Sequence, residues 1–207
     1  MRKTRSIYAV HPGVATMQKW ISELKDKTGR SLEEWMTLVT KSGPKTTEAR
    51  RTWLKNEYAL GTNACWWIVE RAEAKPGTIF DDDPEAYLAL AEKYVQDMFA
   101  APRTGLRPVF EKLLKLGLRI GMDAKACPCK TMVPLYRNFV FAQIKPASNS
   151  RIDLGFALKD MKPTGRLIDT GGFKKKDRIT HRIPISTPAE IDAEVKRWLK
   201  VAYDMDA

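Results

Sequence analysis

Between Cys127 and Leu158 the chain reads CPCKTMVPLYRNFVFAQIKPASNSRIDLGFAL. Three short apolar runs stand close together, separated by Arg137-Asn138 and by Pro146-Ala147-Ser148-Asn149-Ser150. Both separators are turn chemistry. Runs this short with turns between them predict a three-stranded antiparallel meander. In the third run Ile152, Leu154, Phe156 and Leu158 alternate with Arg151, Asp153 and Gly155, the pattern of a half-buried strand. Phe139-Val140-Phe141-Ala142 is apolar on both faces and is expected to be central. A further strand is expected from Ile179 to Ile185, after a long loop over 159–178.

Helical spacing brackets this stretch. Met17, Trp20, Ile21 and Leu24 recur at i, i+3, i+4 and i+7, and Gly29 is placed to stop that helix. Ser31 followed by Glu34 has capping-box spacing for a second helix. Thr46 or Thr47 caps a third, closed by Gly61, and a fourth runs from about Asn63 to Lys75. Trp20, Trp35, Trp53, Trp66 and Trp67 all fall within these four helices. Aromatics bury enough area to give so small a bundle a core. Adjacent helix positions point about 100° apart, so Trp66 and Trp67 are both covered only if the helix is covered broadly. Asp81-Asp82-Asp83-Pro84-Glu85 resembles an acidic metal cluster, but Asp83 as N-cap and Pro84 at N1 explain it as a helix start. A sixth helix carries Leu106, Val109, Phe110, Leu113 and Leu114. Thr187-Pro188-Ala189-Glu190 opens the last one, with Ile191, Val195, Trp198, Leu199 and Ala202 on its buried stripe.

These elements predict an α+β chain in four parts: an arm at 1–16, a helical module at 17–76, an acidic linking helix at 77–104 and an α+β domain at 105–207. In that domain helices pack on one antiparallel sheet. No apolar run approaches the roughly 20 residues needed to span a bilayer, and the N-terminus lacks the apolar core of a secretory signal. Three cysteines cannot pair completely within one chain. A cytoplasmic protein is expected.

Charge narrows the function classes. Lys and Arg number 36 against 25 Asp and Glu, a net of +11. The excess is uneven: +6 over residues 1–75, −4 over 76–104 and +9 over 105–207. Such an excess concentrates anions, above all nucleic acid. The basic side chains of the last segment flank the strands or the long loop, and the candidate ligand-binding set is Lys130, Arg137, Arg151, Asp153, Arg166, Lys174, Lys175, Lys176, His181 and Arg182. Tyr136 offers a stacking ring.

Catalytic and metal chemistry find less footing. Cys127-Pro128-Cys129 is not the C-x-x-C of a redox site. Only Cys65, His11 and His181 remain to complete a tetrahedral zinc site, at unsuitable spacings. His181 shares a strand face with Ile179, Ile183 and Ile185, where a hydrogen-bonded core histidine is the ordinary case. No Ser/His/Asp or Cys/His arrangement is legible, and Thr170-Gly171-Gly172 lacks the length and ending of a P-loop. No catalytic residue, metal or cofactor is therefore expected.

The segment TGRSLEEW, followed by WLKNEYALG and an alanine-containing fourth helix, resembles a short helical bacterial domain of unknown function. CPCKTMVPLYR, NFVFAQIKP and RIDLGFAL, then PTGRL, THRI and PAEIDAEVKRWLKVAYD, resemble a second such family. That family has the pattern KT-x-R-x-FA-x-I-x-P-x-R-x-DLG and a THR-then-helix ending. The matching positions are Lys130, Thr131, Arg137, Phe141, Ala142, Arg151, Asp153, Leu154, Gly155, Thr180, His181 and Arg182. The resemblance covers roughly 17–75 and 105–205 and supplies no catalytic residue. It implies that the two domains occur together in this order. Some relatives of the second stand beside restriction-endonuclease-like modules, which favours nucleic-acid work. The expectation is a non-enzymatic protein that binds nucleic acid or another anionic ligand on a basic sheet face. The alternatives are a small-ligand binder or enzyme with a pocket under the 159–178 loop, using His181, Arg151 and Asp153, and an interaction module using exposed tryptophans.

Overall fold

The computed structural model describes residues 6–75 and 82–207. The chain divides into two compact units, residues 11–87 and residues 6–10 with 88–207. Among the described residues no helix is long and apolar enough to cross a membrane.

The first unit holds α1 (Pro12–Thr28), α2 (Leu32–Ser42), α3 (Thr47–Tyr58) and α4 (Thr62–Glu73). Local chemistry sets their ends. Gly29 adopts the left-handed conformation that closes α1, with φ of 78°. Ser31 and Glu34 form a reciprocal capping box on α2, and Thr46 caps α3. Two ends differ from expectation. Helix α1 begins ahead of Met17, because the ring of His11 accepts from the Gly13 N–H and Pro12 suits N1. Ala59, in the left-handed region, closes α3, and Gly61 instead caps α4. The core gathers Leu24, Leu32, Trp35, Val39, Leu54, Cys65, Ile68 and Val69. The Trp35 indole N–H donates to Thr28 Oγ1 at 2.8 Å, which satisfies the polar end of a side chain that is otherwise wholly buried.

Helix α5 (Pro84–Met98) starts as the sequence predicts, with Asp83 Oδ1 accepting from the N–H groups of Glu85 and Ala86. Asp81 lies outside the described residues. The second unit continues with a 3-10 turn (Thr104–Leu106), α6 (Arg107–Leu118) and α7 (Ala193–Asp204) around an antiparallel sheet. Its strands are β1 (Lys125–Ala126), β2 (Val133–Tyr136), β3 (Val140–Pro146), β4 (Ile152–Phe156), β5 (Ile168–Asp169) and β6 (His181–Ile185), in the order β1-β2-β3-β4-β6-β5. The expected meander is β2-β3-β4. The short edge strands β1 and β5 were not expected, since two residues carry no period. The Thr187–Glu190 signature builds its own 3-10 turn (Pro188–Glu190), and α7 is capped by Asp192 instead.

The sheet is covered on one side. Ile144 of β3, Ile152, Leu154 and Phe156 of β4, and Ile183 and Ile185 of β6 meet Val109, Phe110 and Leu113 of α6 and Val195, Trp198 and Leu199 of α7 in one core. Val95, Met98 and Phe99 join it, with Phe99 stacked on Phe110 at 4.5 Å. Tyr8 packs at its edge, and the Ala9 N–H donates to the Ala126 carbonyl at 2.9 Å. Register explains an oddity in β3. Leu135 pairs with Ala142 while Tyr136 pairs with Val140, so Phe141 is an extra residue. This β-bulge turns both Phe141 and Ala142 into the core, where alternation would have turned only one. Phe139 is not central: it precedes the strand and is 64% exposed.

Candidate functional site

The uncovered face of the sheet carries the polar alternates of the central strands. Register places Lys145 opposite Asp153, Gly155 opposite Arg182, and Gln143 on the other side of Gly155. Arg182 Nη1 donates to Asp153 Oδ2 at 2.5 Å, and Arg151 Nε lies 3.0 Å from Asp153 Oδ1. The second contact lacks hydrogen-bond alignment, so it is Coulombic attraction alone. One carboxylate thus holds two guanidinium groups. Gly155 leaves room for this row: a Cβ there would stand 2.7 Å from Ile179 Cγ2 and 3.0 Å from Gln143 Cγ.

Several predicted site residues are committed elsewhere. Arg166 donates through Nη2 to Asp192 and through Nε to Glu194 Oε2, and its own N–H reaches Glu194 Oε1. These bonds hold Glu194 below the usual carboxylate range, the Arg166 N–H contributing most. Arg137 donates to Asp123 at 3.0 Å and lies over the Tyr203 ring at 4.5 Å. The Tyr203 hydroxyl donates to the same Asp123, which lowers the carboxyl and raises the phenol. Lys130 is exposed on the segment before β2.

His181 is buried on the covered face, while Asp153 belongs to the open one. The sheet therefore separates the two residues that an acid–base pair would bring together. The His181 ring is bonded on both sides. Nε2 lies 2.8 Å from the Met161 carbonyl, which only accepts, so Nε2 carries the proton. Nδ1 then accepts from Thr180 Oγ1 at 2.8 Å, and that oxygen in turn accepts from the Leu158 N–H at 3.2 Å. Thr180 and His181 pin the 158–161 turn to β6.

A cleft of about 530 Å³ does open beside the 159–178 loop. Its walls are Ala157, Lys159, Phe173, Lys174, Lys176, Asp177, Arg178, Thr180 and Met205. It lies where β4 ends, β6 begins and α7 runs out. Four cationic side chains and the Asp177 carboxylate line it, and Asp206 pairs with one of the four, Arg178. Lys159 and Lys176 hold left-handed backbones, with φ of 54° and 62°, a conformation that costs a non-glycine residue about 1 kcal/mol or more. The loop itself is a compact turn: the Lys175 and Asp177 N–H groups both donate to the Gly172 carbonyl, at 3.0 and 2.9 Å. Arg178 ties it to the sheet through Nε to the Val140 carbonyl at 2.8 Å and through Nη2 to Asp206. Lys175 is exposed on the same turn but does not line the cleft.

The family model described as Domain of unknown function (DUF5655) matches residues 95–206, more than half of the chain. The chain belongs to the DUF5655 family. A second model, Domain of unknown function (DUF4287), matches residues 16–73. No curated protein and no solved structure matches the chain.

Within the DUF5655 domain the residues that carry the resemblance fall into three groups, of which Lys130, Thr131 and Arg137 flank β2. Phe141, Ala142, Leu154, Gly155, Thr180 and His181 build or brace the sheet. Arg151, Asp153 and Arg182 lie on its open face. The thiols are placed for inertness: burial, then the neighbouring Cys129, pushes Cys127 up to about 12, and burial raises Cys129. The Tyr136 phenol, also partly buried, is pushed up to about 12. Among the described residues no group of three or more His, Cys, Asp or Glu side chains could hold a metal ion. In the DUF4287 segment Trp67 meets Trp20 edge-on at 5.0 Å, whereas Trp66 is 52% exposed with the Arg51 guanidinium 3.7 Å above its ring.

Lys159, Phe173 and Asp206 escaped the sequence. A lone Phe between Gly171-Gly172 and three lysines was the available signal. Lys159 and Asp206 offered none, because their roles depend on a turn and on a partner 28 residues away.

Proposed function

We propose that the DUF5655 domain binds nucleic acid, with the cleft beside the 159–178 loop as its phosphate-binding site. The observation that carries this reading is the convergence of Lys159, Lys174 and Lys176 on one concave surface against the single carboxylate of Asp177, beside Arg178, whose charge Asp206 already pairs. Like charges gathered this way repel one another, and an anion relieves that cost. Among the predicted site residues the other arginines are shared out: Asp153 serves Arg151 and Arg182, while Asp192 and Glu194 serve Arg166. The open sheet face therefore has less free charge than its sequence suggests, and the loop end has more. Two of the cleft lysines stand on left-handed backbone.

The +11 net charge supports long-range attraction of a polyanion. The proposed site is a loop cleft with α6 and α7 packed on the sheet, so phosphate contacts are expected to dominate over base-edge contacts. Three or four neutralised phosphates give a log–log salt slope of about −2 to −3 for a single strand. Fluorescence anisotropy of labelled oligonucleotides should therefore show affinity falling about 20- to 50-fold between 50 and 200 mM salt. Replacing Lys174 and Lys176 with Ala should flatten the slope by more than replacing Arg151 and Arg182. No binding at 50 mM, or a slope indifferent to the lysines, would remove the reading.

A further inference from the structure

Phe173 lines the basic cleft and Phe139 lies against Arg178 of its wall, and neither ring belongs to the core. Phe139 is 64% exposed and Phe173 is 51% exposed. Arg178 joins them: it lines the cleft with Phe173, and its guanidinium lies 5.3 Å from the centre of the Phe139 ring. Single exposed apolar side chains need no explanation. Two of them beside four cations form a repeated pattern of ring and charge.

Both rings stand on braced backbone. The Phe139 N–H donates to Asp206 Oδ2 at 2.8 Å, and Asn138 Nδ2 donates to the Asp206 carbonyl at 2.8 Å. The Arg137 N–H closes the turn onto the Phe139 carbonyl at 3.0 Å. The buried Asp206 carboxylate also holds Arg178, so one group fixes a ring and a cation together. Phe173 sits in the 172–177 turn, its carbonyl accepting from the Lys176 N–H at 3.1 Å. Gly172 seats that turn against β6, with Ile179 and Thr180 backbone directly beside it. Rings and cations so fixed lose little freedom when a ligand arrives.

An exposed ring with no polar atom recognises a flat apolar face, and a cation recognises a phosphate. A nucleotide chain offers both at a short repeat. In a duplex the base faces are already stacked on their neighbours, so only unpaired bases can use the rings. Resting on the proposed function, we infer that the ligand of this cleft is single-stranded nucleic acid, with bases stacked on Phe139 and Phe173 and phosphates held by Lys159, Lys174 and Lys176. Arg178 links the two, lying against the Phe139 ring and lining the cleft with Phe173.

The test compares a single-stranded oligonucleotide with a duplex of the same length and sequence, by anisotropy at 50 mM salt with the full chain. The single strand should bind more tightly. Phe139→Ala and Phe173→Ala should each weaken single-strand binding between about 5-fold and 150-fold and leave duplex binding and the salt slope as they were. Phe→Tyr at either position keeps the ring and should retain affinity, while Phe→Leu keeps apolar area and should not. Equal affinity for the two forms, or indifference to the Ala substitutions, overturns the stacking inference while the phosphate site stands. No binding of either form at 50 mM removes both.

Discussion

Reversing three charges in the cleft, Lys159→Glu, Lys174→Glu and Lys176→Glu, should lower the affinity for a single-stranded oligonucleotide by more than about 500-fold at 50 mM salt. The magnitude follows from counterion release. With a slope of about −0.7 per phosphate, each neutralised phosphate contributes roughly eightfold at that salt concentration. Losing three contacts gives the figure above, and the three new carboxylates add repulsion. Stability should barely change, since all three side chains are exposed and surface substitutions usually cost within about 0.5 kcal/mol. The matching change on the open sheet face, Arg151→Glu with Arg182→Glu, makes the opposite prediction. It leaves Asp153 beside two further carboxylates in a partly buried row, so the fold should suffer more than binding does. Anisotropy and a thermal melt on the two variants separate the cases.

His181→Ala should do the reverse of the cleft reversal, lowering stability by about 3 kcal/mol and leaving affinity alone. The side chain is 1% exposed, so its loss opens a cavity in the core. The Met161 carbonyl and the Thr180 hydroxyl both lose their partner, and buried polar groups left unpaired cost about 1–3 kcal/mol each before any relaxation. In a domain of this size that loss lowers the melting temperature by roughly 10 °C. A histidine that acted on a ligand would instead show unchanged stability and altered binding. Thermal melts followed by anisotropy below the variant's transition read both quantities.

His181 shows how far the sequence reaches. Its face and its neighbours Ile183 and Ile185 were legible from alternation, but the strand begins at His181, and Ile179, expected on the same face, lies against Gly155 instead. Its partner was not legible, because the Met161 carbonyl comes from a turn 20 residues earlier with no pattern of its own. The same division runs through the basic residues. Composition puts the charge in the last hundred residues, but which cations are free is settled by carboxylates distant in sequence: Asp192 and Glu194 for Arg166, Asp123 for Arg137, Asp206 for Arg178. Helix starts at Ser31 and Asp83 were legible because capping is local chemistry. The exposure of Phe139 was not, since the bulge at Phe141 breaks the alternation that a strand reading depends on.

Where a nucleic acid touches the DUF5655 domain decides between the cleft and the open sheet face. Amide chemical-shift changes in the full chain, titrated with a short single-stranded oligonucleotide at 50 mM salt, measure this directly. The largest changes should fall at Phe139, Lys159 and the 172–178 turn, with Arg151 and Asp153 little moved. Changes concentrated on the open sheet face around Arg151 and Arg182, or confined to the helices of residues 11–87, would contradict the assignment of the site to the cleft.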